Sequence, residues 1–172
     1  MLTQKWFKGE KDDLTDVYAI RREVFMEEQN CPEEEEFDGT DGDCLHLAIY
    51  ENEIPVCTGR VLIGTDSFKI GRVATVMSHR GRGIATSLMK SLINACVAMG
   101  GHRKIIHAQL TARGFYESLG FTAYGDEFEE AGIPHIAMEH FGGAGCGSGG
   151  HCGGCGGKQP GGSPDESRNG GQ

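Results

Sequence analysis

"HRGRGIATSLMK", residues 79–90, sets two glycines and two arginines directly ahead of an apolar run at helical spacing. Ile84, Leu88, Leu92, Ala95 and Met99 fall on one stripe, and Gly100-Gly101 stops the helix. The stretch before the loop, "FKIGRVATV", reads as a strand. A loop between a strand and a helix presents the unpaired N–H groups and partial positive charge of the first helical turn, so it suits an anion. Gly81 and Gly83 permit positive φ and a close backbone approach. Arg80 and Arg82 add charge, and Thr86 adds a hydroxyl donor. The expected ligand is a phosphate or diphosphate.

The known phosphate loops separate on their residues. A Walker loop requires a lysine after its second glycine, and none stands here. A Rossmann fingerprint requires a third glycine and an early first strand, whereas this loop follows four strands. The remaining pattern is R-x-x-G-x-[GA], present as Arg80-Gly81-Arg82-Gly83-Ile84-Ala85.

Outward from the loop, the apolar period alternates between strand and helix. "TQKWFKG" is a short strand, and Asp12-Asp13 lead into a helix over "LTDVYAIRREVFMEEQ" with Leu14, Val17, Val24 and Phe25 on one face. An acidic stretch, "CPEEEEFDGTDGD", follows. "CLHLAIYE" alternates Leu45, Leu47 and Ile49 against His46, Ala48 and Tyr50, and "ENEIP" turns it into "VCTGRVLIG". After the central helix come a strand at "RKIIHAQ", a short helix at "TARGFYESLG", and strands at "FTAYG" and "PHIAMEH". The order β-α-β-β-β-α-β-α-β-β predicts an α/β fold with a mixed, mostly antiparallel sheet flanked by helices.

Charge and composition bound the function. The chain of 172 residues carries a formal net charge of −9, which disfavours general nucleic-acid binding, since that affinity comes from basic side chains on phosphates. No signal peptide and no apolar run of membrane-spanning length stand in the sequence, so no membrane partner and a cytoplasmic location are expected. Half of the 28 glycines lie after Phe141. Residues 142–172 hold almost no apolar side chains and read as a Gly-rich, Cys/His-containing disordered tail on a domain of residues 1–141. Cys31, Cys44, Cys57 and Cys96 read as reduced structural cysteines. In the tail, Cys152 and Cys155 have the spacing that grips a zinc ion and Cys146 stands nearby, but no second such pair completes a site.

"GRVATVMSHRGRGIATSLM" resembles the coenzyme A signature of the GNAT acetyltransferases, and "ARGFYESLGF" resembles their later F-Y-x-x-x-G-F element. "REVFMEEQNCPEEEEFDGTDGD", "IGRV", "AQLTARGFYESLGF" and "EEAGIPHIAM" together resemble the ElaA-like branch of that superfamily. The resemblance covers nearly all of residues 1–141 and none of the tail. It implies a GNAT fold and acetyl-CoA as co-substrate. It also implies that Val73, Ala74 and Thr75 lie beside the pantetheine arm, and that the N–H groups of Arg80 through Thr86 hold the diphosphate. Gln109 would contact the coenzyme from a strand end, and Tyr116 would be the general acid. A tyrosine stays protonated at neutral pH and can return a proton to a leaving thiolate. Backbone N–H groups near Thr75 and Val76 would serve the developing oxyanion. The usual V-x-P reads Thr75-Val76-Met77 here, and Gly114 interrupts the short helix ahead of Tyr116.

The acceptor is less legible. Glu28, Asp38, His46, His107, Glu127 and His135 are candidates for the base or for contacts to the substrate; His46 has a suitable titration range and His107 shares a strand face with Gln109. The stretch from Glu27 to Asp43 has no Lys or Arg; it is either a solvated charge run or a negative rim that draws a small cationic amine. The leading expectation is an acetyl-CoA-dependent N-acetyltransferase with a small-molecule amine acceptor. The alternatives are a non-catalytic acyl-CoA-binding module and a domain carrying a metal-binding tail. The oligomeric state is left open, a homodimer included.

Overall fold

The computed structural model describes residues 1–143. The zinc candidates Cys146, Cys152 and Cys155 lie outside the described residues.

Seven strands form one sheet: β1 (Leu2–Lys8), β2 (Cys44–Glu51), β3 (Ile54–Ile63), β4 (Phe68–Thr75), β5 (Arg103–Gln109), β6 (Thr122–Glu130) and β7 (Ile133–Phe141). Their spatial order is β1-β2-β3-β4-β5-β7-β6. Every neighbouring pair is antiparallel except β4 and β5, which run parallel. Four helices complete the fold: α1 (Thr15–Arg21), α2 (Glu33–Glu36), α3 (Ile84–Ala98) and α4 (Arg113–Ser118). Apart from the four-residue α2, which lies within the acidic stretch, the element order is the one the sequence predicts.

α1 begins where the Asp13 carboxylate accepts hydrogen bonds from the Thr15 N–H, at 3.0 Å, and from its hydroxyl, at 2.6 Å. It continues as a π-helical segment, Arg22–Glu28. Such widened turns are frequent at functional sites, and this one, with Gln29 directly after it, brings Phe25 and Gln29 to the cavity described below. α3 packs on β3 at Gly59. A Cβ there would lie 2.8 Å from Leu92 Cδ1 and 2.9 Å from Leu88 Cδ2, so only glycine lets the helix this close. The buried stripe of α3 is Ile84, Leu88, Met89, Leu92, Ile93 and Cys96. Met99, which the sequence assigns to that stripe, caps the helix beyond its last residue and is exposed, and Cys96 rather than Ala95 is the buried residue of the last turn.

Both faces of β2 are covered. Leu47 and Ile49 join the large core, while Ala48 and Tyr50 pack with Phe7, Leu14 and Val17 in a second cluster. β6 also runs five residues past the expected "FTAYG".

The acidic stretch departs most from expectation. It is not solvated throughout, because three of its acids are paired with arginines, while Glu34, Glu35 and Asp38 line the cavity described below. Arg21 of α1 is fully buried and donates to Glu36 at 2.5 Å and to Asp41 at 2.7 Å. Arg60 of β3 donates to Asp41 at 2.8 Å and to both carboxylate oxygens of Asp38, at 3.2 and 2.7 Å. Arg72 of β4 donates to the main-chain carbonyls of Glu35 and Glu36. Glu36, Asp38 and Asp41 therefore serve as internal counter-ions that pin the stretch to the sheet. Asp38, a candidate substrate contact, pairs with Arg60 and also lines that cavity.

Candidate active site

β3 and β4 keep register at Thr58↔Ala74 and again at Arg60↔Gly71, so Arg72 and Val73 bulge out of the ladder. Arg72 holds a φ of +51°, which a non-glycine residue seldom adopts, and its guanidinium is tied to the 35–38 segment. On its other side β4 meets β5 at only two positions, Phe68↔Lys104 and Lys69↔Ile105. Beyond them the two strands part.

The gap opens into a cavity of about 880 Å³. One wall is the segment after α1, with Phe25, Gln29 and Glu34; the opposite wall is the β6–β7 hairpin, with Glu130 and His135. Val73, Ala74 and Thr75 line it from β4, His107 and Gln109 from β5, and Tyr116 from α4. A smaller cavity of about 270 Å³ adjoins it and shares Thr75, Arg80, Ala85 and Phe115 with it; His79, Gly81, Gly83, Ile84 and Thr86 complete its lining. The predicted coenzyme residues thus fall on two abutting cavities, with Arg82 beside them in the loop.

Gly81 and Gly83 have φ values of +72° and +76°, and a Cβ on either would meet nothing within 4 Å. Glycine is therefore needed for backbone conformation rather than for space. The Ser87 N–H closes the first α3 bond to Gly83, which leaves Ile84, Ala85 and Thr86 without helical acceptors for their N–H groups. Unpaired N–H groups at a helix N-terminus have the geometry that suits an anion. Two details differ from expectation. The Arg80 N–H donates to Met77, so that group is spent. Both arginine heads are also engaged: Arg80 grips Glu28 through two 2.6 Å bonds, and Arg82 grips Glu51 at 3.1 and 2.5 Å. Arg82 and the neighbouring His79 hold the Glu51 carboxyl down at about 2. Glu28, a substrate candidate, is thus a partner of the loop.

Tyr116 is buried beside Phe115 and Phe121, with ring centroids at 5.0 and 5.9 Å. Burial pushes its hydroxyl well above the usual phenol range. It is protonated at any physiological pH, so its O–H is available as a donor. The expected oxyanion donors fare less well: the Val76 N–H already donates to Val56 at 3.0 Å, because it continues the β3–β4 ladder.

The candidate bases separate cleanly. His46 is fully buried, lies away from the cavity, and bonds through Nε2 to the Asp41 carbonyl at 3.0 Å, so it is not a substrate contact. Burial holds it below the ordinary imidazole value. Glu127 is exposed on β6 and outside the cavity lining. His135 lines the cavity but commits Nδ1 to the Ile133 carbonyl at 2.6 Å. His107 lines it with its ring half-buried. The sequence reading missed Gln29, whose Oε1 accepts from Gln109 Nε2 at 2.9 Å. It also missed the three arginines that organise the acidic stretch; their only signal is a run of acids with no local cation.

Among the described residues no group of three or more His, Cys, Asp or Glu side chains could hold a metal ion, and no helix is long and apolar enough to cross a membrane. The model of the acetyltransferase (GNAT) domain family matches residues 10–140. The uncharacterized N-acetyltransferase YjcF of Bacillus subtilis is 36% identical over 129 residues, covering 74% of this chain and 92% of that protein. Escherichia coli ElaA is 34% identical over 134 residues, covering 73% of this chain and 87% of that protein. The crystal structure of ElaA superposes with a TM-score of 0.71 over 80% of this chain and 98% of its own, at 30% identity. That of an acyl-CoA N-acyltransferase from Pseudomonas aeruginosa superposes with a TM-score of 0.72 over 81% of this chain and 99% of its own, at 29% identity. A glycine loop at a helix N-terminus, two parted strands and a family match over residues 10–140 lead to one conclusion: the chain belongs to the GNAT acetyltransferase family.

Proposed function

We propose that the protein is an acetyl-CoA-dependent N-acetyltransferase, with residues 1–141 as its catalytic domain, that passes an acetyl group to an amine by direct attack on the thioester. The parting of β4 from β5 carries this reading, because it opens one continuous path from the glycine loop to Tyr116. The diphosphate rests on the N–H groups from Gly81 to Thr86, next to Arg80 and Arg82. The pantetheine arm follows Val73, Ala74 and Thr75 along β4, with Gln109 facing it from β5. Tyr116, protonated and water-poor, hands a proton to the departing thiolate. Nitrogen as the acceptor atom is supported by the names of two relatives, an N-acetyltransferase and an acyl-CoA N-acyltransferase.

The test is thiol release from acetyl-CoA in the presence of a panel of primary amines. Amine-dependent release is expected from the wild-type chain. Tyr116→Phe is expected to lower kcat at least about tenfold while leaving acetyl-CoA affinity within about twofold, since its hydroxyl acts on the leaving group rather than in binding. Binding of acetyl-CoA with no amine-dependent release would favour a non-catalytic coenzyme-binding module.

A further inference from the structure

The last paired residue of β5 against β4 is Ile105, which faces Lys69. Continuing that register by two residues sets His107 level with Gly71, at the vertex where the strands part. Ile106 and Ala108 point into the core, so His107 and Gln109 occupy the opposite face of β5. The arm of the coenzyme starts at the glycine loop and runs back along β4 from Thr75 to Val73. Its thioester end therefore approaches this vertex, where His107 stands.

The surroundings of His107 suit a base. Nδ1 lies 3.5 Å from Glu130 Oε1, a long contact of the kind that tightens when substrate closes a site. The ring of Phe128 meets the imidazole edge-on at 5.0 Å. His135 stacks on the far side of Phe128 and brings Nε2 to 3.8 Å from the same Glu130. Lys69 of β4 is the remaining charge that acts on His107, so Lys69, Glu130 and His135 are the titratable neighbours on β4, β6 and β7. Burial, then Lys69, hold the imidazole below its ordinary value against the pull of Glu130. With Nδ1 turned to Glu130, Nε2 is the nitrogen left toward the cavity, and among the described residues it has no protein partner.

We propose that His107 is the general base for the acceptor amine and that Glu130 is a positioning residue that keeps the proton on Nδ1. The inference rests on the amine-acetylation reading. His107 Nε2 takes a proton from the incoming ammonium. The freed lone pair forms the C–N bond at the thioester carbonyl carbon, and the C–S electrons leave on sulfur. The sulfur takes the Tyr116 proton, the tyrosine oxygen regains one from the new amide nitrogen, and His107 releases its proton to solvent. The balance is one ammonium and one thioester consumed, and one amide, one thiol and one proton produced.

The experiment uses the full chain and any amine of the panel that the wild-type protein acetylates. kcat/KM is followed from pH 5.5 to 10 for wild type, His107→Gln and Glu130→Gln, with acetyl-CoA affinity measured for each as a check on folding. His107→Gln is expected to lose about 100-fold or more at neutral pH. Its deficit should shrink as the pH nears the amine's own pKa, because the amine then arrives deprotonated. Glu130→Gln should shift the acid limb of the profile to lower pH with a smaller loss of rate, since the charge that raises the His107 value has gone. A His107→Gln protein with wild-type kcat/KM and an unmoved acid limb overturns the assignment and leaves N-acetylation standing. A wild-type chain that binds acetyl-CoA but acetylates no amine overturns both.

Discussion

Arg80 stands in the anion loop, yet its guanidinium is held by Glu28 and its Nε–H donates to the Thr75 carbonyl. The pair is partly exposed on both sides, so its own contribution to stability is small. Its effect on an anionic ligand is larger in kind, since a carboxylate beside the seat repels phosphate and competes for the same donors. Glu28→Gln is expected to tighten coenzyme A binding about two- to fivefold at low ionic strength, with the gain shrinking at high salt. Calorimetric titration at two salt concentrations reads this directly, and weaker binding by the variant would reverse the assigned role. Arg80 and the two glycines were legible in the sequence because the motif is local. Glu28 was legible only as one candidate among six, because the contact spans 52 residues of chain.

At the scale of elements, the acidic stretch is fastened by charge rather than by apolar burial. Asp41 receives donors from Arg21 and Arg60, and these hold its carboxyl below the usual range despite the burial that opposes them. Removing Arg21 leaves Glu36 and Asp41 buried with fewer partners. Arg21→Met is expected to cost about 3–5 kcal/mol in urea unfolding, the range for breaking a buried pair by deleting one partner. Glu33→Gln, on the exposed side of the same stretch, is expected to stay within about 0.5 kcal/mol. Equal effects would show that the network does not anchor the segment. The position of α3 followed from periodicity, whereas its distance from β3 is set by Gly59, whose role shows only once Leu88 and Leu92 are seen above it.

For the whole molecule, buried imidazoles make stability depend on pH. His46 donates Nε2–H to the Asp41 carbonyl and leaves Nδ1 buried without a partner, so a second proton there would be buried unpaired. Its folded-state value is depressed, chiefly by burial. The unfolded chain binds that proton below about pH 6.5, the ordinary value. The contribution of His46 is therefore complete above that pH and is lost as the pH falls below it toward the folded-state value. Between pH 7.5 and 5.5 the wild type should lose up to about 1 kcal/mol more than His46→Gln, which keeps a donor for the Asp41 carbonyl. Urea titrations of both proteins at the two pH values test this, and parallel losses would place the sensitivity in other groups.

The sequence by itself determined the order of the strands and of the three main helices, the glycine loop and the family, because each is written in short-range features: a period of two or of 3.6 residues, closely spaced glycines, and a motif within a dozen positions. The tertiary structure decided the rest. Charge pairs such as Arg60–Asp38 and Arg72–Glu36 join residues 22 and 36 positions apart, and no local pattern announces them. The choice among the histidines is of the same kind. His46 and His107 sit on strands of similar alternation, but β2 is covered on both faces while β5 faces the opened gap. Whether a strand histidine is packed away or presented to a ligand depends on what covers its face, and that is settled only when the chain has closed on itself.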